Sequence, residues 1–182
     1  MEIWDAYDSE KQKLSIDLVR EEIVPAGMYH IAVHIVVKNR NGSYLAMQRD
    51  FNKPGFPGLF EVSAGGSILK GETDSEGAIR ELFEETGIKV DDLVILDELH
   101  EVRHPCIYEV FLADVDVDED AIILQEGETV GYKWVAQREI YEFVNSEMHV
   151  GSNARKRINK ALELIERKLS KEWSKEDENI SK

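Results

Sequence analysis

Seven residues between Gly66 and Gly87 have the types and spacing that phosphate or metal chemistry needs. Gly66 is followed, after five intervening residues, by Glu72, then after seven more by Arg80-Glu81, then by Glu84-Glu85 and Gly87, with Ile88 behind. Thr73-Asp74-Ser75-Glu76 reads as a capping box that starts a helix near Asp74. Ile79, Leu82, Phe83 and Thr86 recur at helical spacing as a core-facing stripe, and Gly87 suits the left-handed residue that ends such a helix. The opposite face carries Arg80, Glu81, Glu84 and Glu85, with Glu84 one turn beyond Arg80 and Glu85 one turn beyond Glu81.

Three carboxylates crowded there oppose helix formation. Like charges one turn apart cost about 0.2–0.5 kcal/mol per pair, and acids in the last turn oppose the helix dipole by roughly 0.3–1 kcal/mol each. A divalent cation resolves both conflicts, because Mg²⁺ seeks hard oxygen ligands and keeps waters and substrate phosphates in its shell. Gly65-Gly66 ahead of the helix lets backbone carbonyls approach the same ion. A solvated acidic face is the competing reading of the glutamates alone, and the full run of spaced residues argues against it. Gly77 within the helix is expected to cost about 0.5–1 kcal/mol without touching the site.

The elements that must position this helix are read from the rest of the chain. At 182 residues it fits one domain with a single sizeable core. A formal charge of −15 argues against broad attraction to nucleic acid or to anionic membranes. No apolar run approaches spanning length and the first residues lack the pattern of a signal peptide, so a cytoplasmic protein is expected. Cys106 is the single cysteine, which excludes an internal disulfide.

Residues 1–28 read as an N-terminal β-hairpin extension, with a surface that could pair two copies as a homodimer. Tyr29 to Lys38 reads as a buried strand, Asn39-Arg40-Asn41-Gly42 as a turn, and Tyr44 to Gln48 as the partner strand. His30 and His34 lie about 13 Å apart on a strand, too far to share one ion. Arg49 to Phe60 reads as a loop in which Arg49 and Lys53 are the cations nearest upstream of the acidic helix, available for substrate phosphate. Strands are expected at Phe60 to Ser63, Leu93 to Val102, Ile107 to Val115 and Tyr132 to Val135. The acidic run from Asp114 to Asp120 reads as a solvated loop. An amphipathic helix is expected from Asn153 to Trp173, followed by a polar, disordered tail over 174–182.

The spaced run resembles the Nudix box with no element missing. The resemblance implies an α/β Nudix fold, an α/β/α sandwich around a mixed β-sheet, over residues 29–173. It also implies hydrolysis of a pyrophosphate in a nucleoside diphosphate linked to another group, with Mg²⁺ or Mn²⁺ as cofactor. On that pattern Glu81, Glu84, Glu85 and the Gly66 carbonyl bind metal, Arg80 orients the glutamates, and Glu72 supports the loop. Glu81 is the first candidate for general base, Glu128 the second and Glu126 the third.

A second likeness joins Trp4-Asp5-Ala6-Tyr7-Asp8, the strand from His30 to His34 and the run from Gln48 to Gly66 to the isopentenyl-diphosphate isomerase-like branch. The isomerase cysteine is replaced there by Ser63-Ala64, and of the paired glutamates on a later strand only Glu109 is kept. The resemblance therefore implies an isomerase-like shape with hydrolase chemistry. Isomerase activity and a catalytically retired nucleotide sensor stand as the alternatives.

Overall fold

The computed structural model describes residues 1–180, with side chains through Ser170. The alternation read at the N-terminus forms a two-stranded antiparallel sheet, β1 (Ile3–Tyr7) with β2 (Lys13–Val19). The second sheet has six strands: β3 (His30–Asn39), β4 (Tyr44–Arg49), β5 (Phe60–Glu61), β6 (Val94–Glu101), β7 (Cys106–Val115) and β8 (Thr129–Val135). It is mixed, since β3 and β7 run parallel over ten residue pairs while the other pairs are antiparallel.

One departure from a regular sheet creates the cleft. β3 and β4 pair only at Lys38↔Tyr44, beside their connecting turn, and then diverge. β4 continues with β8 along one edge and β5 on the other. The place that β4 vacates beside β3 is taken by the glycine loop. Val33 N–H donates to Gly66 O at 2.8 Å, Ile35 N–H to Ala64 O at 2.7 Å, and Ile68 N–H to Ile31 O at 3.0 Å.

Alternation along β3 divides the core into two layers. Ile31, Val33, Ile35 and Val37 join Ile107 and Phe111 against α1 (Asp74–Thr86). Val36, Val110 and Leu112 face α2 (Ile140–Asn145) and α3 (Ser152–Ile180) through Ile140, Val144, Ile158, Leu162 and Ile165. The expected three layers are therefore present. α3 takes in most of the segment read as a polar tail, and Ser181 and Lys182 lie outside the described residues. No helix among the described residues is long and apolar enough to cross a membrane.

The caps of α1 are those expected. The Thr73 hydroxyl accepts from Glu76 N–H at 3.3 Å, the Glu76 carboxylate accepts from Thr73 N–H at 2.9 Å, and Gly87 is left-handed with φ 73°. The buried stripe differs from the expected one: Gly77, Ala78, Leu82 and Thr86 are buried, Ile79 only partly, and Phe83 is 46% exposed. The helix is rolled so that small residues meet β3, which brings Glu81 and Glu85 to the glycine loop. Gly77 is part of that fit. A Cβ there would lie 2.4 Å from Ile68 Cδ1 and 3.0 Å from Glu72 Oε2, so the position does bear on the site. The acidic run is also less free than expected. Glu119 accepts hydrogen bonds from Asn41 and Ser43, and Asp116 pairs with Arg40.

The N-terminal hairpin is fastened to the larger sheet by a charge cluster. Lys11, at the hairpin tip with φ 58°, pairs with Asp74 in the first turn of α1 at 2.9 Å, with Glu98 on β6 at 3.1 Å, and with Glu109 on β7. Glu109 is fully buried. Removing one partner of a buried ion pair leaves an uncompensated charge, at a cost of about 3–5 kcal/mol. In chemical denaturation Lys11→Met should lose about that much, and Lys11→Met/Glu109→Leu should recover most of it. A single variant as stable as wild type would refute the lock.

Candidate active site

The chemistry gathers in one cavity of about 690 Å³ lined by the glycine loop, the acidic end of α1, the start of β3 and the loop after β4. Its wall includes Gly65, Gly66, Arg80, Glu81, Glu84 and Glu85 from the spaced run. Arg49, Lys53 and Glu128 line it as well, whereas Glu126 is exposed and outside it.

Arg80 organises this wall. Its Nε donates to Glu72 Oε1 at 2.7 Å, its Nη1 to Glu81 Oε1 at 2.7 Å and to Glu84 Oε2 at 3.1 Å, and its Nη2 to Glu72 Oε2 and Ser67 O. Glu72 in turn accepts from Leu69 N–H at 2.8 Å. One guanidinium thus ties the loop, the helix and two of the crowded carboxylates, using the planar donor fork that suits Arg to this task. The Glu72 hydrogen bond, strengthened by Glu81, raises the Arg80 pKa against the effect of burial.

The glycines are fixed by space. A Cβ on Gly65 would fall 2.0 Å from Val33 O, and one on Gly66 would fall 2.5 Å from Glu81 Oε2. The loop is therefore pressed between β3 and the Glu81 carboxylate. The Gly66 carbonyl, expected to face a metal, already accepts from Val33 N–H. The Gly65 carbonyl has no hydrogen bond among the described residues.

Glu85 is the carboxylate least satisfied as an anion. It accepts one hydrogen bond, from Gly65 N–H at 3.2 Å. Burial, followed by the negative charge of Glu61, pushes its pKa up to about 8. Burial also raises Glu81, although Arg80 holds one of its oxygens. Glu61 behaves oppositely: burial would raise it, but the His34 hydrogen bond and the charges of His34 and Arg49 bring it down to about 2. Among the described residues no three His, Cys, Asp or Glu side chains close around a single point tightly enough to hold a metal by themselves. Mg²⁺ does not require such a cage, since one or two carboxylates with water and phosphate complete its shell. Glu81, Glu84 and Glu85 fit that hard-oxygen donor set, and the half-buried Glu85 carboxylate, without an ion pair among the described residues, is the observation that calls for a cation.

Arg49 and Lys53 lie at the cavity but are not free. Arg49 donates to Gly55 O at 2.9 Å and approaches Glu61 at 3.5 Å, and Lys53 pairs with Glu128. His30 and His34 are separate, as the strand spacing requires. His30 stacks on Trp4 with ring centroids 4.2 Å apart, and His34 Nδ1 lies 3.4 Å from Glu61 Oε1 and 3.2 Å from Ser63 Oγ. Glu61, Tyr108 and Arg157, which the sequence does not mark as site residues, also line the cavity, as does Trp4, marked there only by the isomerase-like likeness. Their signal is tertiary, because the β3/β4 divergence and the docking of the hairpin bring them in.

A family model described as the NUDIX domain matches residues 28–155. An uncharacterized Nudix hydrolase of Listeria monocytogenes is 36% identical over 91 residues, which is 50% of this chain and 54% of its own length. An isopentenyl-diphosphate Delta-isomerase of Corynebacterium diphtheriae is 35% identical over 65 residues, 36% of each chain. The chain thus spans about half or less of the length of these curated relatives. Among solved structures, DR0079 of Deinococcus radiodurans aligns with a TM-score of 0.71 at 18% identity, covering 88% of this chain and 99% of that one. The NUDIX domain of Shewanella oneidensis NrtR, complexed with ADP ribose, aligns at 0.58 with 20% identity over 75% of this chain and 88% of that one.

The Glu85 shift makes metal-free stability pH-dependent. The unfolded chain releases this proton near 4.5 and the folded chain near 8, so the folded state binds more protons between those values and stability falls as pH rises through them. Glu61 acts in the opposite sense below 4.5, and His30 and His149, whose pKa values burial lowers, do so below 6.5. Thermal midpoints taken in chelator should therefore decline from pH 6.5 to 8, and Glu85→Gln should flatten the decline. Added Mg²⁺ should raise the wild-type midpoint most at the alkaline end. Identical slopes in the two proteins would remove Glu85 as the cause.

Proposed function

Because the chain belongs to the Nudix hydrolase family, we propose that it hydrolyses a pyrophosphate linkage in a nucleoside diphosphate joined to another group, with Mg²⁺ or Mn²⁺ as cofactor. The observation that carries this reading is the acidic end of α1, whose Glu81, Glu84 and Glu85 converge on the cavity with a half-buried Glu85 carboxylate that has no ion pair among the described residues. The ADP ribose complex of the Shewanella neighbour supports the substrate class.

Glu81, Glu84 and Glu85 would hold the metal, which supplies neutralisation of phosphoryl charge and a more acidic water. Arg80 is a positioning residue, since it holds Glu72, Glu81 and Glu84 in one arrangement. Glu81 is the preferred general base. One of its oxygens is fixed by Arg80, the other has no hydrogen bond among the described residues, and its raised pKa favours taking a proton from water. Glu128 is the weaker candidate because Lys53 occupies it. Lys53 and Arg49 would meet the phosphates by exchanging a carboxylate partner for the substrate.

Isomerase chemistry finds no support in this cavity. Ser63 stands near the position of the expected thiol, and Cys106 is buried, its pKa raised to about 12 first by desolvation. Glu109 lies beneath Lys11 and does not line the cavity.

The test is release of phosphate, pyrophosphate or mononucleotide from a panel of nucleoside diphosphate compounds with Mg²⁺ or Mn²⁺, with chelator as control. Turnover should be metal-dependent and confined to one class of compound, while tight binding without turnover would favour a sensor. Glu81→Gln should lower kcat by about 10²–10⁴-fold, the usual contribution of a general base, and Glu85→Gln should abolish metal-dependent turnover while the fold persists. Full activity in Glu85→Gln would overturn the metal assignment. Isopentenyl diphosphate should yield no dimethylallyl isomer.

A further inference from the structure

Five cations line the cavity, and four of them are committed to carboxylates. Arg80 holds Glu72, Glu81 and Glu84; Arg49 approaches Glu61; Lys53 pairs with Glu128; and Arg20 pairs with Glu2. The fifth, Arg157 on α3, forms no ion pair among the described residues. Its Cζ lies 4.1 Å from the centroid of the Tyr108 ring, and its Nε–H is buried without an acceptor. In a chain with 37 acidic residues, this guanidinium is held on an aromatic face instead of a carboxylate.

Seated over the ring at the cavity wall, the guanidinium presents a donor edge that no carboxylate among the described residues occupies. The group that satisfies such an edge is a phosphate or carboxylate, whose oxygens match the Arg fork. Its place in the fold says which part of a substrate this is. Tyr108 is in register with Ala32, and Ala32 bridges to Ser67 of the glycine loop. The Tyr108 backbone therefore stands two strand spacings from that loop, roughly 10 Å at the usual separation between neighbouring strands, with its ring 5.2 Å from that of His34. A diphosphate seated at the loop and the acidic helix thus has β3 between it and the strand that carries Arg157's platform. The wall between is completed by the N-terminal hairpin, where Trp4 lines the same cavity and its indole N–H is also buried without an acceptor.

We propose that Arg157, on its Tyr108 platform, anchors a second anion subsite for a phosphate or carboxylate carried by the substrate beyond the scissile pyrophosphate. The inference rests on the pyrophosphohydrolase reading and names the kind of leaving or retained group. It selects diphosphate compounds with a remote acidic group over their neutral counterparts.

The test uses matched pairs that differ only in that group: NADPH against NADH, coenzyme A against dephospho-coenzyme A, and UDP-glucuronate against UDP-glucose. Binding is measured by calorimetry in chelator, where no turnover intervenes, and hydrolysis is measured separately with Mg²⁺. Wild type should bind the acidic member of at least one pair ten-fold or more tightly. In Arg157→Gln the two affinities should converge, and Arg157→Lys should restore part of the difference. No preference in wild type, or a preference that survives in Arg157→Gln, would overturn the subsite. A purely structural Arg157 would weaken both members alike and lower the thermal midpoint. Because binding is read without metal, a chain that discriminates the pairs yet hydrolyses none of them would sink the hydrolase reading and leave the subsite standing.

Discussion

The site depends on the edgewise packing of two glycines between a strand and a helix. β3 would ordinarily pair with β4 along its length, but the loop carrying Gly65 and Gly66 takes β4's place, hydrogen-bonded to β3 through Val33 and Ile35. At Gly65 a side chain would strike the Val33 backbone carbonyl, and at Gly66 it would displace the Glu81 carboxylate from its seat. The parting of the sheet that opens the cavity and the seating of Glu81 at its wall thus have one steric cause. Gly77 extends the same economy of space to the first turn of α1, where Ile68 and Glu72 leave no room for a methyl group.

Around that packing the electrostatics are arranged unevenly. Arg80 neutralises Glu72 and Glu81 and fixes their directions, while Glu85 is left half-buried with a single backbone donor. Glu61 is held ionised from the opposite side by His34 and Arg49, and its charge adds to the strain on Glu85. Neighbouring carboxylates driven apart in acidity in this way mark functional sites more often than structural ones. The helix gains nothing from the arrangement, since its last turn has no basic residue to oppose the dipole.

Much of this was legible in the sequence because it is local. The capping box, the left-handed Gly87, the turn after β3 and the acidic face of α1 are all set by residues within a few positions of one another. Hydrophobic periodicity alone places Phe83 in the stripe of α1, whereas packing against β3 selects Ala78 and Leu82. Helix propensity alone makes Gly77 a defect, whereas its packing beside Ile68 and Glu72 makes it part of the fit. The remaining site residues were hidden because they come from distant parts of the chain. Glu61 follows a loop full of turn residues, Tyr108 and Arg157 meet only when α3 crosses β7, and Trp4 arrives with the hairpin. The same hairpin explains Glu109, the one glutamate kept of the isomerase pair, whose burial under Lys11 gives it a structural partner.

The family match begins at residue 28, but the cavity wall begins at Glu2, and the ammonium that neutralises Glu109 belongs to residue 11. The inherited domain boundary and the physical boundary therefore do not coincide. A segment cut at the family limit would carry a buried anion without its counterion and a cavity with one side missing. For this chain the smallest transplantable unit includes the hairpin, and a change in the hairpin's sequence is a change in the cavity's inner surface.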